Sequence, residues 1–214
     1  MDNRIQVITD QLDEQAAAIY GDMIPEYQSG YADYVYQTDK PEIQSRRIKN
    51  LNKSFLRLLT EPYFYIQPLF QAAAEEVASW SYPAPYDFYD MAHDAEDMAE
   101  LLSEENREGR YFQVIHNGAF HGFVNFEPNE NDLEIGLGTN PKYVGQGLGR
   151  GFMEAIENHV KANFEQTELV LRVAQFNARA IHLYQECGYK IVDEYHQEIN
   201  GSSFAFVKMT KSLS

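Results

Sequence analysis

Glycine occupies every second position of residues 145–151 in this 214-residue chain. An apolar, strand-like run precedes this stretch at residues 133–137, and apolar residues at helical spacing follow it, at Phe152, Ile156 and Val160. A glycine-rich turn between a strand and a helix exposes backbone N–H groups and adds the positive end of the helix dipole. The pattern therefore predicts a loop that binds a phosphate group.

The spacing of these glycines excludes two common phosphate-binding motifs. In a dinucleotide-binding G-x-G-x-x-G motif the third glycine would fall on Arg150, counting from Gly145, or on Phe152, counting from Gly147. A nucleoside-triphosphate loop would need a Lys-Ser or Lys-Thr pair, which does not follow here. The remaining interpretation is a short turn that holds a pyrophosphate mostly through its main chain.

Asn177 and Tyr184 form a second candidate pair downstream of the glycines. Seven residues of helix turn through about 700°, so the two side chains share one face. Each residue also has a purely structural interpretation, because asparagine caps helices well and tyrosine often packs in a core.

The elements around these residues alternate between strand and helix patterns. Strand patterns occur at residues 63–69, 111–116, 119–126, 133–139, 168–174, 189–198 and 204–209. Helical patterns occur at residues 71–80 and 94–105, after the glycine stretch, and after Asn177. The pairs Asn117-Gly118 and Asn200-Gly201 predict tight hairpin turns.

Two stretches resemble a known family. The sequence Gly-Gln-Gly-Leu-Gly-Arg at residues 145–150 resembles the pyrophosphate-binding signature of the GNAT superfamily, the acyl-CoA-dependent N-acetyltransferases. Residues 173–189 resemble its strand, Asn-initiated helix, tyrosine and Gly-aromatic ending. The resemblance covers roughly residues 62–210. It implies an α/β fold with a mixed, mostly antiparallel sheet and helices on both faces, in the order β-α-α-β-β-β-α-β-α-β-β.

The resemblance also implies an acetyl-CoA site made mostly of main-chain groups. Its expected members are Leu137, Gly138, Thr139, Gly145, Gln146, Gly147, Leu148, Gly149, Arg150 and Asn177. The main chain of residues 137–139 would run beside the pantetheine arm, with a bulge at Gly138 separating this strand from the next. The N–H of Leu137 would polarise the acyl carbonyl.

The resemblance implies that Tyr184 is the main catalytic residue. Its hydroxyl would lie beside the CoA sulfur and act as a general acid. The general base is less defined. The position that carries Glu in part of the family is Arg172 here, which cannot accept a proton, and Glu134 on the neighbouring strand is the available carboxylate. Three alternatives to Glu134 as the general base are open. Glu134 forms an ion pair with Arg172, water removes the proton from the amine, or the amine arrives neutral. His182 and Glu186 are expected to point elsewhere.

The resulting prediction is an N-acetyltransferase that moves an acetyl group to a primary amine of a small molecule or protein by direct attack. The alternative is a non-catalytic acyl-CoA-binding sensor or interaction module. Residues 81–91, with two prolines and four aromatic residues, are the candidate acceptor loop, or else a cap on the core. The motifs leave the length of the acyl chain open.

The amino-acid composition limits the kinds of molecule that the protein is expected to bind. A net charge of −16 argues against nucleic acid and weakly favours cationic amine acceptors. The six histidines show no ligand spacing, so no metal is expected, and Cys187 is the only cysteine, which suits a reducing compartment. No apolar run is long enough to span a membrane and the first residues do not resemble a signal peptide, so we expect a cytoplasmic protein without a membrane partner.

Residues 1–60 lie outside the resemblance and are predicted to form an N-terminal helical extension, with residues 61–214 as the GNAT domain. Helices are expected at residues 5–20 and after a cap at Asp39. The second helix has one apolar face, formed by Ile48, Leu51, Phe55, Leu58 and Leu59. This face is expected to pack on the catalytic domain, to form a homodimer contact, or to act as a lid over the acceptor site.

Overall fold

The computed structural model describes residues 3–199 and 202–213, and these form two compact units. The first unit contains residues 3–65 together with Ile115–Phe120. The second contains Ile66–Val114 together with residues 121–199 and 202–213. The turn predicted at Asn200-Gly201 lies outside the described residues.

The first unit is built from helices α1 (Asn3–Thr9), α2 (Glu14–Asp22), α3 (Pro25–Tyr36) and α4 (Pro41–Arg57). Their buried side chains form one apolar cluster, in which the rings of Tyr20 and Phe55 stack with centroids 5.5 Å apart. Ile48, Leu51 and Phe55 of α4 lie in this cluster. The apolar face of α4 is therefore covered within its own unit, which none of the three sequence interpretations anticipated.

Two local predictions for this unit were wrong, and one helix was not predicted. The helix expected at residues 5–20 is interrupted, because α1 ends at Thr9 and α2 begins at Glu14. Lys40, rather than Asp39, occupies the N-cap position of α4, and it makes no side-chain capping bond. Helix α3 was not predicted; Pro25 is its first residue, a position where the missing N–H of proline costs nothing.

Seven strands form one sheet in the described residues: β1 (Phe64–Pro68), β2 (Tyr111–His116), β3 (Ala119–Pro128), β4 (Leu133–Thr139), β5 (Glu168–Ala174), β6 (Lys190–Ile199) and β7 (Ser202–Ser212). Their order is β1-β2-β3-β4-β5-β7-β6. Strands β4 and β5 pair in parallel, whereas β3 with β4, β5 with β7 and β6 with β7 are antiparallel. The predicted mixed, mostly antiparallel sheet is therefore confirmed.

The helices of the second unit are α5 (Gln71–Ala78), α6 (Ala95–Leu102), α7 (Glu104–Arg107), α8 (Gly149–Asn163) and α9 (Ala178–Glu186). The acidic helix predicted at residues 94–105 is divided at Ser103, whose hydroxyl accepts the N–H of Asn106 and so starts α7. Asp94 starts α6 in the same way, by accepting the N–H groups of Glu96 and Asp97.

A gap opens between the two parallel strands. Strands β4 and β5 pair only where they begin, at Leu133 with Leu169 and Glu134 with Val170. The register between β3 and β4 runs without a shift along the whole of β4, so the bulge predicted at Gly138 is absent from this pair. Gly138 is needed for packing instead, because a Cβ there would lie 2.5 Å from the ring of Phe123.

Arg107 is a buried cation that joins three elements of the second unit, and only 3% of its surface is exposed. Its guanidinium donates hydrogen bonds to the carbonyl of Leu69 at 3.3 Å, to the carbonyl of Leu101 at 2.6 Å and to Oε1 of Gln71 at 2.7 Å. These bonds tie the chain after β1 to α5 and to the end of α6.

Replacing Arg107 with Leu is expected to lower the free energy of unfolding by about 3 kcal/mol, since buried acceptors lose their donors. Urea titration followed by fluorescence of Trp80, the single tryptophan, measures this loss within the second unit. The control is Arg110→Leu, whose partly exposed ion pairs with Glu100 and Glu127 should contribute less than about 1 kcal/mol. Equal losses in the two variants would contradict the prediction.

Candidate active site

The glycine loop that follows β4 has a backbone that only glycine adopts readily. Gly145 and Gly147 have φ angles of 82° and 76°, in the left-handed region. No atom lies within 4 Å of the place where a Cβ of either residue would stand, so this side of the loop is open. Left-handed Gly147 is followed by right-handed Leu148, and such alternation turns successive N–H groups toward one anion.

Gly149 has a different role. A Cβ at this position would lie 2.7 Å from the Leu183 side chain of α9. The missing side chain therefore lets the start of α8 pack closely against α9. This contact joins the loop to the helix that carries Tyr184.

The start of α8 suits an anion. Its N-cap residue, Leu148, makes no side-chain capping bond, and its first turn contains no acidic residue. Arg150 lies in that turn, although a cation there opposes the helix dipole. The Arg150 guanidinium lies 3.4 Å from a carboxylate oxygen of Glu186, and both side chains are largely exposed.

Helix α9 presents Asn177 and Tyr184 as predicted from their spacing. Oδ1 of Asn177 accepts the N–H of Ala180 at 3.2 Å, so the residue does cap the helix. Tyr184 is 6% exposed, and this burial raises the pKa of its phenol, with a further contribution from nearby Tyr89. The phenol therefore keeps its proton well above neutral pH.

A cavity of about 760 Å³ brings most of the predicted site residues together. Its lining includes Leu137, Gly138, Thr139, Gly145, Gln146, Gly147, Leu148, Gly149, Asn177 and Tyr184. It also includes His182 and Glu186, whose side chains lie 3.6 Å apart, and Glu186 in turn contacts Arg150.

Two predicted residues, Glu134 and Arg150, are not among those that line the cavity. Oε1 of Glu134 lies 2.7 Å from Nε of Arg172, which is the ion pair that the sequence left as an alternative to a catalytic base. Proton uptake by Glu134 would break this pair. The side chain of Arg150 is instead directed to Glu186.

The candidate acceptor loop does border the cavity, through Tyr82, Tyr86, Phe88 and Tyr89. The hydroxyl of Tyr82 donates to the carbonyl of Thr139 at 2.8 Å, where β4 ends. The guanidinium of Arg179 lies over the ring of Tyr86, 4.4 Å from its centroid. These contacts fasten the loop to the elements that carry the other site residues.

Sequence reasoning missed an acidic part of the lining, formed by Asp90, Asp94, Asp97, Glu100 and Glu127. Three of them recur every third residue around α6, a spacing that places them on one side of a helix. That signal was available, but a run of charges on a helix usually marks a solvated face. Glu127 belongs to β3, and Arg110 contacts both Glu100 and Glu127.

Residues 3–199 and 202–213 offer little support for a cysteine nucleophile, a metal site or a membrane-spanning helix. Burial raises the pKa of the Cys187 thiol, which disfavours a nucleophilic thiolate. No group of three or more His, Cys, Asp or Glu side chains in these residues is arranged to hold a metal ion. None of the helices in the same residues combines the length and apolar character needed to cross a membrane.

The model of the acetyltransferase (GNAT) family matches residues 71–189, which is more than half of the chain. The chain belongs to the GNAT acetyltransferase family. It is an acyltransferase, and the matched region contains the glycine loop, the start of α9 and Tyr184. No curated protein sequence matches this GNAT chain.

Several solved structures share the fold of this GNAT protein. Spermidine N-acetyltransferase from Vibrio cholerae in complex with CoA and spermine is 18% identical, with 70% of this chain and 95% of that chain covered and a TM-score of 0.56. A GNAT-family acetyltransferase from Bacillus anthracis is 16% identical, with coverage of 71% and 95% and a TM-score of 0.57. For the Campylobacter jejuni N-acetyltransferase PseH the identity is 20%, the coverage 71% and 99%, and the TM-score 0.51. At these identities the likeness concerns the fold.

Proposed function

We propose that this GNAT protein transfers an acetyl group from acetyl-CoA to a primary amine of a small molecule or protein, with Tyr184 as the general acid. The observation that carries the proposal is that the glycine loop, the end of β4 and Tyr184 line one cavity. The residues that we propose to bind the pyrophosphate and to donate the proton therefore line the same cavity.

The residues of the cavity fit acetyl-CoA, which would supply the acetyl thioester. The open, left-handed glycines and the uncapped start of α8 offer N–H groups to a pyrophosphate. The gap between β4 and β5 exposes the main chain of residues 137–139 to an extended pantetheine arm. Leu137 is the residue whose N–H we assign to the acyl carbonyl oxygen.

Tyr184 supplies the proton in the transfer. The amine nitrogen forms a bond to the acyl carbon, the bond from that carbon to sulfur breaks, and the sulfur receives the Tyr184 proton. A proton lost by the amine nitrogen then restores the phenol through solvent, so that protons and electrons balance over one cycle. The raised pKa of the buried phenol keeps the acid form available throughout.

Glu134 is a poor choice as general base, because its carboxylate is held by Arg172 and does not line the cavity. We propose that the acceptor loses its proton to solvent before attack, or arrives as the neutral amine. This is the alternative to a protein base that the sequence left open.

The acidic lining favours an acceptor with more than one positive charge. Burial raises the pKa of the Asp97 carboxyl, and the neighbouring carboxylates raise it further. A bound cation would relieve this mutual repulsion. The spermine complex of the Vibrio cholerae enzyme shows that a polyamine is bound by a protein of this fold. We therefore propose a diamine, a polyamine or a lysine side chain in a basic context as the acceptor.

The test measures thiol release from acetyl-CoA with a panel of a monoamine, a diamine, spermidine and a lysine peptide. We expect steady release with the cationic members and a lower KM for them than for the monoamine. Binding of CoA in calorimetry without release from any amine would instead favour the non-catalytic sensor.

Asp97→Asn tests the acidic lining with a matched control. The substitution keeps the shape of the side chain and removes one charge, so the KM for the preferred polycation should rise about fivefold. Glu96→Gln removes the adjacent charge, which does not line the cavity, and should leave this KM unchanged. Equal effects of the two variants would contradict a cation site at Asp97.

A further inference from the structure

One basic residue, Arg110, contacts two of the carboxylates that line the cavity. Its Nη2 atom donates a hydrogen bond to Oε1 of Glu127 at 2.7 Å and lies 3.3 Å from Oε1 of Glu100. The Tyr111 hydroxyl donates to the same oxygen of Glu100 at 2.8 Å. Glu100, Tyr111 and Glu127 line the cavity, whereas Arg110 is not among the lining residues. A cation of the chain itself therefore offsets part of the negative charge of the lining.

The sheet fixes the position of Arg110. The residue directly precedes β2, and its carbonyl accepts the N–H of Phe126 on β3 at 2.9 Å. Its own N–H donates to the carbonyl of Arg107, also at 2.9 Å. Glu127 follows Phe126 on β3, so the main chain holds both partners of this ion pair close together. Little backbone entropy is then lost when the ion pair forms.

The other three carboxylates of the lining differ in what they already bind. Oδ1 of Asp90 accepts the N–H of Tyr82 at 2.9 Å. Oδ1 of Asp94 accepts the N–H groups of Glu96 and Asp97 as the cap of α6, both at 3.0 Å. In the part of the chain that the structure describes, the carboxylate of Asp97 accepts no hydrogen bond and forms no ion pair. Asp97 is therefore the lining carboxylate that is ready for a cation from solution.

An acceptor with several ammonium groups needs a carboxylate for each of them. Asp97 can take one ammonium without displacing any donor of the protein. A second ammonium would have to displace Arg110 from Glu100 or Glu127. A group attached to the same chain competes at an effective concentration on the order of millimolar, so an ammonium from solution gains little by this exchange.

We infer that Arg110 is a specificity-determining residue that limits the acceptor to one ammonium group besides the amine that reacts. The acceptor is then a diamine, with its distal ammonium on Asp97, rather than a longer polyamine or a basic peptide. Arg110 acts through Glu100 and Glu127 and not on the reacting atoms. The inference rests on the proposed acetyl transfer and narrows the class of acceptor proposed for it.

The experiment measures kcat/KM from thiol release at saturating acetyl-CoA with putrescine, spermidine and spermine, which contain two, three and four amines. In the wild type the three values should agree within about twofold, because the additional ammonium groups find only carboxylates that are already paired. In Arg110→Gln, kcat/KM for spermidine and spermine should rise at least about fivefold relative to putrescine, because Glu100 and Glu127 become free.

Two further variants separate this role from a general effect of charge or stability. Arg57→Gln removes the same charge from an ion pair with Glu61 at 2.7 Å, and neither residue lines the cavity. It should leave the ratios between the three amines unchanged. Arg110→Lys keeps a cation beside the two carboxylates and should retain the wild-type ratios. A purely structural fault at Arg110 would lower kcat/KM for all three amines alike, and that outcome would overturn the inference.

The remaining outcomes separate this inference from the proposed function. Thiol release by Arg110→Gln with wild-type ratios between the amines would overturn the inference alone. A wild type that prefers spermine over putrescine by more than about tenfold would do the same. A wild type that binds CoA but releases no thiol with any amine would overturn both together.

Discussion

Replacement of Tyr184 by Phe is expected to lower kcat by about 100-fold or more, with binding of CoA essentially unchanged. The substitution keeps the buried ring of Tyr184, a residue that lines the cavity, and removes only its hydroxyl. Without this proton donor the sulfur must leave as a thiolate or take its proton from water. The loss should appear in kcat rather than in the KM for acetyl-CoA, because the proposed role of this hydroxyl is to protonate the leaving sulfur.

The pH dependence should follow from the raised pKa of Tyr184. A phenol whose pKa lies above its usual value of about 10 stays in its acid form at every pH where the protein is assayed. The wild-type rate should therefore rise with pH as the acceptor amine becomes neutral and should not fall again below about pH 10. A falling limb near neutral pH would mean that some other group is the acid.

Tyr189→Phe is the matched control for Tyr184→Phe. The two rings lie 6.0 Å apart, and Tyr189 is also buried, at 2% exposure. Its hydroxyl has no hydrogen-bond partner within the described residues, and it is not among the residues that line the cavity. Its removal should leave kcat unchanged. A Tyr184→Phe variant no slower than this control would remove Tyr184 from the mechanism.

The predictions that agree with the structure came from local sequence patterns. Gly145 and Gly147 could be assigned to a turn between a strand and a helix, because glycine is the residue that adopts a positive φ readily. Asn177 and Tyr184 could be placed on one face because helical periodicity is regular over two turns. Strands β4 and β5 were predicted at the bounds that the structure has, since each is a short run between clear turn signals.

Tertiary placement was harder to predict, because one pattern fits several environments. The carboxylates of α6 have the same spacing whether they face solvent or a cavity, and only the position of α6 decides which. Glu134 and Arg172 come from different strands, so their ion pair depends on strand register, which the sequence does not encode locally.

Replacing both Gly145 and Gly147 with Ala is expected to weaken CoA binding about 30-fold or more. An L-residue in the left-handed region costs roughly 1–2 kcal/mol, so two such residues oppose the loop geometry by a few kcal/mol. The unliganded loop can escape this strain by relaxing, and it must then recover the strained form to direct its N–H groups at a pyrophosphate. The added methyl groups also enter the open side from which a ligand would approach. Calorimetric titration with CoA, rather than acetyl-CoA, measures this affinity without turnover.

Gly109→Ala separates loss of the anion site from general backbone strain. Gly109 has a φ of 71°, its Cβ position is also open, and it is not among the residues that line the cavity. This control should lose about 1 kcal/mol of stability and retain full affinity for CoA. If the double alanine variant bound CoA as tightly as the control does, the diphosphate could not depend on the main chain of residues 145–149, and the cofactor would have to be held by side chains elsewhere in the cavity. This prediction concerns the binding of CoA and not the reaction. Its outcome therefore does not depend on which amine is the acceptor or on which residue donates the proton.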